Sequence, residues 1–328
     1  MRISDPLYGV TEIPDQVLVD LLQSQTLNRL RDIDLAGYFE PKNTTYTKSS
    51  RYTHSVGVML LLRKFGASIE EQIAGLIHDV SHSAFSHCID YVLAEGTPAT
   101  HAHQDSIHDR YVKGRTDIPK ILSAHHISID KILNDSNFPL KENNIPNICA
   151  DRIDYSLRTA VGYQVMTIQE SQELLSHVRT IDTQWVFENY ESARKFADIF
   201  SHLNTVFFSG FRSTVMFQTV GMYLKYALDA GYISRDDLYT TDKEVLAKIV
   251  PQHMKDKTLS LYWDRMNGTV EAFEDRSSEI QVTVKSRIVD PLFLKNEQIT
   301  RVSDVDAKWK ETVSIDLIPK VHGIRFAR

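Results

Sequence analysis

The chain contains 328 residues, of which 42% are hydrophobic, 24% are charged and 9% are aromatic. These values are typical of a globular protein and exclude collagens, coiled coils and disordered chains, and the length fits about two domains. The 37 Lys and Arg residues against 43 Asp and Glu residues give a net charge of −6. That sign argues against nucleic-acid binding through a broad basic face, whereas a few local arginines suffice for a small anionic ligand.

Cysteine content and hydropathy indicate the compartment. Two cysteines, Cys88 and Cys149, are too few for a disulfide scaffold and fit a reducing environment. The first residues contain no apolar signal segment, and the longest apolar run, Val58 to Leu62, is far too short to span a membrane. We therefore expect an unprocessed cytoplasmic protein.

Helical periodicity dominates the first two thirds of the chain. It predicts helices over 16–31, from near residue 55, over 69–79, 192–207 and 214–230, and a helix containing Asp151 after a loop at 134–147. Alternating apolar and polar residues predict strands at 279–284, 313–318 and 321–326. The predicted fold class is mostly α, with a helical body to about residue 275 and a small mixed α/β C-terminal part.

The histidines are unevenly distributed, because nine of the 13 fall between residues 54 and 126. The adjacent pair His78-Asp79 at a predicted helix end offers two donors to one divalent cation such as Mn, Fe, Ni or Zn. His54 and Asp151, each near a predicted helix start, would complete a set of four donors. Such a set leaves coordination positions open for water and substrate.

The order of these residues resembles the H…HD…D signature of the HD-domain phosphohydrolases. Similar motifs surround it, namely those at residues 5–9, 27–31, 51–58, 74–87 and 151–155. They are similar to the branch of deoxynucleoside triphosphate triphosphohydrolases, including bacterial HD phosphohydrolases and the catalytic domain of the mammalian SAM-and-HD-domain enzyme. The resemblance implies an HD-domain helical bundle, with a catalytic core at 1–165, a helical extension at 166–275 and a small α/β region at 276–328.

Further histidines are candidates for proton transfer. His82 follows His78 by four residues, so that both face one cavity if the helix continues. His87 and Asp90 stand at i, i+3, the spacing at which a carboxylate orients an imidazole. The resemblance implies a further substrate-facing imidazole at His103, or at His101 if the alignment shifts by two residues. His125 and His126 would suit a second metal in other HD branches, and we assign them no role.

Residues for substrate contact lie on the helix that begins near Asp151. Asp151, Asp154, Tyr155 and Arg158 fall on one face of it. Arg51, Arg152 and Arg158 are expected to bind phosphate, and Tyr155 the sugar. The alternative for Arg158 is an ion pair with Asp154 or Asp109. Lys285, Arg287 and Asp290-Pro291 resemble a family segment near the C-terminus, without an assigned ligand.

The resemblance implies one divalent metal ion (Mn, Fe, Ni, Zn or Mg) and hydrolysis of (deoxy)nucleoside triphosphates at the α-phosphate, which releases a nucleoside and inorganic triphosphate. Three departures, Leu35, Thr53 and Thr159, leave selectivity for deoxyribose open. Two other hypotheses remain: a nucleotide phosphatase or phosphodiesterase on the same metal site, and a non-catalytic nucleotide sensor. By analogy with relatives we also expect a homo-oligomer and nucleotide effectors.

Overall fold

A computed structural model describes residues 1–38, 47–93 and 97–327. The described residues form fifteen α-helices and nine strands. The helices are α1 (Gln16–Gln23), α2 (Gln25–Arg29), α3 (Arg51–Lys64), α4 (Ile69–Ile77), α5 (His103–Arg115), α6 (Ile118–Ala124), α7 (Ile129–Leu133), α8 (Ala150–Gly162), α9 (Ile168–Ser176), α10 (Tyr190–Leu203), α11 (Phe211–Asp229), α12 (Asp242–Ile249), α13 (Lys257–Met266), α14 (Val302–Val305) and α15 (Ala307–Asp316). None of them is long and apolar enough to cross a lipid bilayer.

The strands form three small sheets. They are β1 (Arg2–Asp5), β2 (Gly9–Glu12), β3 (Val178–Ile181), β4 (Gln184–Phe187), β5 (Ala272–Glu274), β6 (Gln281–Val284), β7 (Leu292–Lys295), β8 (Gln298–Arg301) and β9 (Lys320–Phe326). β1 and β2 make an antiparallel hairpin, the second sheet has the order β3-β4-β7-β8 with β4 parallel to β7, and the third is β5-β9-β6. Helix accounts for 54% and strand for 13%, so the prediction of a mostly α fold with a mixed C-terminal part is confirmed.

Two local predictions differ from the structure. The helix predicted over 16–31 is interrupted at Ser24, whose side chain accepts a hydrogen bond from the Leu27 amide and starts α2. The strand predicted at 313–318 is wrong, because most of that segment belongs to helix α15. Asp306 caps α15 by accepting from the Trp309 amide, and the buried Trp309 ring anchors the helix to the core. The other two predicted strands correspond to β6 and β9.

Helix α3 lies where two apolar clusters meet. Val58 and Leu61 pack in one cluster with α8 and α10, while Val56 and Met59 pack in another with α1 and α4. Gly57 lets α3 approach α8, since a Cβ atom there would overlap the side chains of Asp154 and Arg158. The close approach of α3, α4 and α8 positions the site described below.

The largest apolar cluster draws residues from all three predicted regions, for example Leu7, Leu174 and Trp309. One apolar cluster therefore extends across the predicted boundaries at 165 and 275. The division into three regions stays a prediction.

Candidate active site

Helix α3 supplies the first site residues from its N-terminal turn. Ser50 caps the helix by accepting a hydrogen bond from the Thr53 amide, and the Thr53 side chain accepts one from the Ser50 amide. Thr53, one of the departures, is thus engaged in helix capping. Arg51 and His54, three residues apart on the same face, are buried.

Helix α4 supplies the second pair. Ser68 caps its start, and Glu70 and Glu71 stand in the first turn, as predicted. His78 ends the helix, and its Nδ1–H donates to the Gly75 carbonyl over 2.7 Å. Because a carbonyl oxygen only accepts, this bond fixes the neutral ring with its proton on Nδ1 and a lone pair on Nε2.

The four predicted metal ligands converge. His54 Nε2 lies 2.9 Å from Asp151 Oδ1 and 3.2 Å from His78 Nε2. His78 Nε2 lies 3.4 Å from both Asp151 Oδ1 and Asp79 Oδ1, and His54 Nε2 lies 3.7 Å from Asp79 Oδ2. His54, His78 and Asp151 form a group with the spacing of metal ligands. Their ligand roles stay a prediction that this convergence supports.

The donor chemistry fits a divalent cation. His54 Nδ1 lies 2.7 Å from Asp154 Oδ2, and its Nε2 faces both Asp151 Oδ1 and His78 Nε2. The surrounding carboxylates favour a positive charge at this position, which a divalent cation would supply in place of the Nε2 proton of His54. A carboxylate or carbonyl behind each ligating imidazole is the usual second partner of such a site.

The short distances between the candidate ligands shift the pKa values of His54 and Asp151. Burial lowers the pKa of His54, but hydrogen bonds with Asp151 and Asp154 outweigh it and raise the value to about 9. Burial raises the pKa of Asp151, while hydrogen bonds with His54 and His78 hold it far below its ordinary value. The site therefore favours a positive charge between imidazoles and carboxylates.

A second layer of charged residues holds His54 from behind. Asp154 accepts two hydrogen bonds from Arg158, of 2.8 and 3.0 Å, and one of 2.8 Å from the Tyr8 hydroxyl. Arg158 also donates to Asp5 in β1 over 3.1 Å. Its guanidinium thus takes the predicted alternative, the Asp154 ion pair. The prediction of a phosphate contact by Arg158 is corrected, because this network holds its side chain behind the ligand layer.

Arg51 lines the cavity and neutralises Asp79. It donates to Asp79 Oδ2 over 2.8 Å, to Ser86 Oγ over 3.0 Å and to the Leu35 carbonyl over 3.0 Å. Burial raises the pKa of Asp79, but the Arg51 charge and neighbouring histidines hold it well below its ordinary value. Arg51 adds positive charge to the cavity, and these acceptors engage three of its five N–H donors.

The predicted acid–base residues lie next to the ligands. His82 Nε2 lies 3.2 Å from Asp79 Oδ1, and the His82 and His87 rings stand edge to face with centroids 5.0 Å apart. His87 follows Phe85 and Ser86, both at positive φ, which start the 3₁₀ helix Ser86–Tyr91 and turn the His87 side chain to the cavity. These turns explain how residues nine apart, His78 and His87, reach one space.

Both imidazoles are neutral in the free protein. Burial, followed by the charge of Arg51, lowers the pKa of His82 to about 4. Burial and the neighbouring His101 lower the pKa of His87 well below its ordinary value. Asp90 Oδ2 lies 3.4 Å from His87 Nδ1, and burial raises the pKa of Asp90 to about 6 although it accepts from the His103 amide.

His101, rather than His103, faces the cavity. The His101 ring stacks on His87 with centroids 5.0 Å apart. His103 is buried, and its Nε2 lies 3.0 Å from the Tyr239 hydroxyl instead. The prediction for His103 is therefore corrected by two residues, to the alternative named above. His101 adopts a left-handed φ of 49° immediately before α5, a turn that the residue spacing does not reveal.

Arg152 and Tyr155 line the cavity from α8. Arg152 donates to Glu142 over 3.1 Å and to the Asn147 carbonyl over 3.2 Å, and thereby joins α8 to the preceding loop. The Tyr155 hydroxyl is buried and has no hydrogen-bond partner among the described residues. Its ring packs edge to face against Phe208 with centroids 5.5 Å apart. Their substrate roles stay predictions.

One cavity of about 570 Å³ is lined by the four candidate ligands together with Arg51, His82, His87, His101, Arg152 and Tyr155. Several lining residues come from outside the predicted site, and they are Gln104, Asp105, His108, Lys141, Glu142, Phe207, Phe208, Phe217, Lys285 and Arg287. Of these, only Lys285 and Arg287 carried a sequence signal, the resemblance to a family segment. Leu35 and Thr159, two of the departures, line the same cavity.

Comparison with known proteins identifies the family. Residues 51–159 match the HD domain. A Bacillus subtilis protein, uncharacterized protein YdhJ, is 34% identical over 312 residues, which are 95% of this chain and 94% of that protein. The chain belongs to the HD-domain phosphohydrolase superfamily. The predicted family, its hydrolase class and its divalent-metal site are confirmed at this level.

Other HD relatives match over part of their length. The metal-dependent phosphohydrolase cns2 of Cordyceps militaris is 38% identical over 177 residues, 54% of this chain and 50% of that protein. A deoxynucleoside triphosphate triphosphohydrolase SAMHD1 homolog of Dictyostelium discoideum is 23% identical over 222 residues, which cover 58% of this chain and 41% of that protein. The chain thus spans half or less of these two relatives.

Two solved structures share the fold of this HD protein. A hypothetical protein from Aquifex aeolicus superposes with a TM-score of 0.72 at 17% identity, covering 100% of this chain and 96% of that one. A phosphohydrolase from Bacteroides thetaiotaomicron superposes with a TM-score of 0.70 at 16% identity and covers both chains completely.

Proposed function

We propose that this HD-domain phosphohydrolase hydrolyses nucleoside triphosphates, deoxynucleotides included, at the α-phosphate, with release of the nucleoside and inorganic triphosphate. One observation carries the proposal: the ligand set opens into a single cavity that also contains imidazoles, cations and aromatic rings. A nucleotide needs all three, since phosphates bind cations, a leaving oxygen needs a proton and a base stacks on rings. The Dictyostelium relative bears the name of this activity.

His54, His78, Asp79 and Asp151 would hold the divalent ion. Bound there, such an ion supplies Lewis-acid polarisation of a phosphoryl oxygen and a water of lowered pKa. Asp154 keeps the His54 proton on Nδ1, and the Gly75 carbonyl does the same for His78. These contacts orient both Nε2 atoms towards the ligand position.

His82 and His87 handle the proton of the leaving group. A water oxygen bonds to the α-phosphorus and its proton is released to the medium, the bond from phosphorus to the sugar oxygen breaks, and the sugar oxygen takes a proton from the imidazolium form of His82 or His87. Both rings are neutral in the free protein, and the negative charge of a bound triphosphate raises their pKa towards neutrality. Asp90, 3.4 Å from His87 Nδ1, stabilises the imidazolium of His87.

Arg51 and Arg152 stabilise negative charge at the phosphates, since both line the cavity and protein acceptors engage only part of their five N–H donors. The unpartnered Tyr155 hydroxyl is placed to hydrogen-bond with the sugar. Phe207 and Phe208 offer a face for the base. With Leu35 and Thr159 also in the wall, we expect both ribo- and deoxyribonucleotides to be accepted.

The test is product analysis. The protein, loaded with Mn²⁺, is incubated with NTPs, dNTPs and nucleoside monophosphates, and products are resolved by ion-exchange chromatography. Nucleoside and inorganic triphosphate are expected, with activity reduced to background in Asp79→Ala and unchanged in Asp198→Asn, a surface carboxylate paired with Arg194. Orthophosphate from monophosphates would replace the proposal by the phosphatase alternative. Binding without turnover would replace it by the sensor alternative.

Nucleotide effectors and assembly into homo-oligomers also remain proposals from the family resemblance. We expect light scattering after size-exclusion chromatography to show a mass above that of one chain, increasing when nucleotides are added. A single-chain mass under both conditions would contradict this expectation.

A further inference from the structure

The segment between β6 and β7 brings two cations into the cavity from outside the HD match. Lys285 and Arg287 both line the cavity, whereas the intervening Ser286 is buried in the opposite direction. Ser286 donates to the Asp316 carbonyl over 2.7 Å and accepts from Asn204 over 2.9 Å. Asn204 Oδ1 also accepts from the Arg287 amide over 2.8 Å. These hydrogen bonds fix the segment. Because side chains alternate in direction along extended backbone, Lys285 and Arg287 both point to the cavity side.

Within the described part of the chain no carboxylate contacts either cation directly, although Asp90 acts on both and Asp105 on Lys285 from a distance. Among the ion pairs of the described residues, none includes Lys285 or Arg287, and the nearest polar partner of Arg287 is His101 Nδ1, 3.5 Å from Nη2. Burial, together with the charge of Arg287, lowers the pKa of Lys285 to about 8. Two partly buried positive groups side by side cost free energy unless an anion enters between them.

The position of Lys285 and Arg287 in the cavity indicates which kind of anion they would bind. A row of imidazoles leads from the metal ligands to Arg287: His82 lies 3.2 Å from Asp79, the His82, His87 and His101 rings follow at 5.0 Å centroid spacing, and His101 contacts Arg287. Arg287 lies within electrostatic range of Asp151, so the ligands and the two cations face the same part of the cavity without being in contact. An anion with several linked phosphates can interact with both groups, whereas a single phosphate at the ligands reaches only one of them.

The geometry points to Lys285 and Arg287 as the subsite for the distal phosphates of the substrate, so that the protein selects nucleoside di- and triphosphates over monophosphates. This inference rests on the proposed function for the identity of the substrate. The anion subsite itself is measurable without turnover, because it is built from residues outside the metal ligands.

The first experiment measures binding of inorganic tripolyphosphate and orthophosphate by calorimetry, with the metal chelated. Replacement of Arg287 by Met, alone and with Lys285→Met, is expected to weaken tripolyphosphate binding by about 30-fold or more, the usual effect of removing one partner of a buried charge pair. The control Arg325→Gln, an exposed arginine paired with Asp275, should not change it. Equal tripolyphosphate affinity in wild type and double variant would overturn the inference.

Thermal unfolding provides a readout that a structural role would not produce. Lys285→Met should raise the melting temperature of the ligand-free protein, since an unpaired charge is removed, and should reduce the increase that tripolyphosphate produces. A lower melting temperature with an unchanged tripolyphosphate increase would show a structural role instead. Lys225→Met, a surface lysine paired with Asp229, is the matched control.

Kinetics separate this inference from the proposed function. If the wild type hydrolyses triphosphates, the double variant should lose kcat/KM for triphosphates chiefly through a higher KM. An unchanged KM for triphosphates in the double variant would overturn the inference and leave the function intact. If no nucleotide is hydrolysed, the proposed function fails, and the tripolyphosphate measurement still decides whether the subsite exists.

Discussion

The Oδ2 atom of Asp154 lies 2.7 Å from Nδ1 of His54, on the side of the ring opposite the Nε2 atom that faces Asp151. Asp154 itself is fully buried and is neutralised by Arg158. It thus sets the tautomer and orientation of His54 without contributing a ligand atom to the site.

Asp154→Asn should weaken metal affinity by about 10- to 100-fold, as is usual when the partner of a ligating imidazole is removed. An amide is similar in shape, but it removes one of the two carboxylate partners of Arg158 and leaves Asp5 as the other. Metal titration monitored by calorimetry measures the change. Asp20→Asn is the matched control, because Asp20 holds His125 over the same 2.7 Å outside the cavity. Equal affinities in wild type and Asp154→Asn would contradict the assignment.

Gly57→Ala should destabilise the protein by about 1–3 kcal/mol, because overpacking forces side chains to move. The added methyl would overlap Asp154 and Arg158, so metal affinity should also decrease. Gly114→Ala serves as the control in α5, where an added Cβ meets nothing within 4 Å. It should stabilise the protein by about 0.5–1 kcal/mol. Chemical denaturation of both variants tests the pair, and similar shifts for the two would refute the packing argument.

His87→Gln should reduce kcat by about 10²- to 10⁴-fold, the range for a general acid, whereas His103→Gln should have a small effect. The two variants should differ because the His87 side chain lines the cavity, whereas that of His103 contacts Tyr239. Steady-state kinetics on the substrate found by product analysis measure both. A larger loss in His103→Gln than in His87→Gln would reverse the correction made above.

Arg29 is expected to position His82. Its guanidinium donates to the carbonyls of Val80 and His82, each over 2.8 Å, and to that of Thr240 over 3.0 Å. Arg29→Met leaves these acceptors without donors, at about 1–3 kcal/mol for each that stays buried. We expect a lower melting temperature and a lower kcat with metal affinity retained, and partial rescue by Arg29→Lys. Arg31→Met, the replacement of an exposed arginine that lies over the half-buried Tyr52 ring, should change neither value.

The unfolding free energy should decrease with increasing pH because the buried carboxyl group of Asp242 loses its proton. Burial raises the pKa of Asp242 from 3.8 to about 7, although its carboxylate accepts from the Phe85 and Asp34 amides. Between those two values the folded state binds more protons than the unfolded state, so the unfolding free energy falls by at most about 1.4 kcal/mol per pH unit.

Denaturation of Asp242→Asn at several pH values between 4 and 7 tests this argument, with the window taken from the ordinary and the raised pKa of Asp242. The variant should show a smaller slope than the wild type. The exposed Asp236, paired with Arg115, provides the control Asp236→Asn, which should keep the full slope. A full slope in Asp242→Asn would place the titration at another residue.

The convergence of the four candidate ligands was predictable from the sequence, whereas their supporting contacts were only partly so. His78 and Asp79 are adjacent, and Asp151 begins a helix, so residue order and family motif identify them. Arg158 shares the helix face of Asp151, yet its partner Asp5 lies 153 residues earlier in the chain. Helical periodicity does not encode such a long-range pair, which explains why a phosphate contact was predicted for Arg158.

Backbone conformation limits prediction at the histidines. His101 and His103 are two residues apart, and their spacing alone does not predict which of the two side chains faces the cavity. The choice follows from the left-handed backbone of His101, which the surrounding packing imposes. The segment 313–318 shows the same limit, because its apolar alternation resembles a strand while capping by Asp306 and burial of Trp309 make it helical.

The HD match ends at residue 159, yet Phe207, Phe208, Lys285 and Arg287 complete the cavity wall. The cavity wall is therefore assembled from residues inside and outside the match, whereas all four candidate ligands lie inside it. Substitutions at the outer residues would reshape the wall around a bound molecule and leave the ligand set untouched.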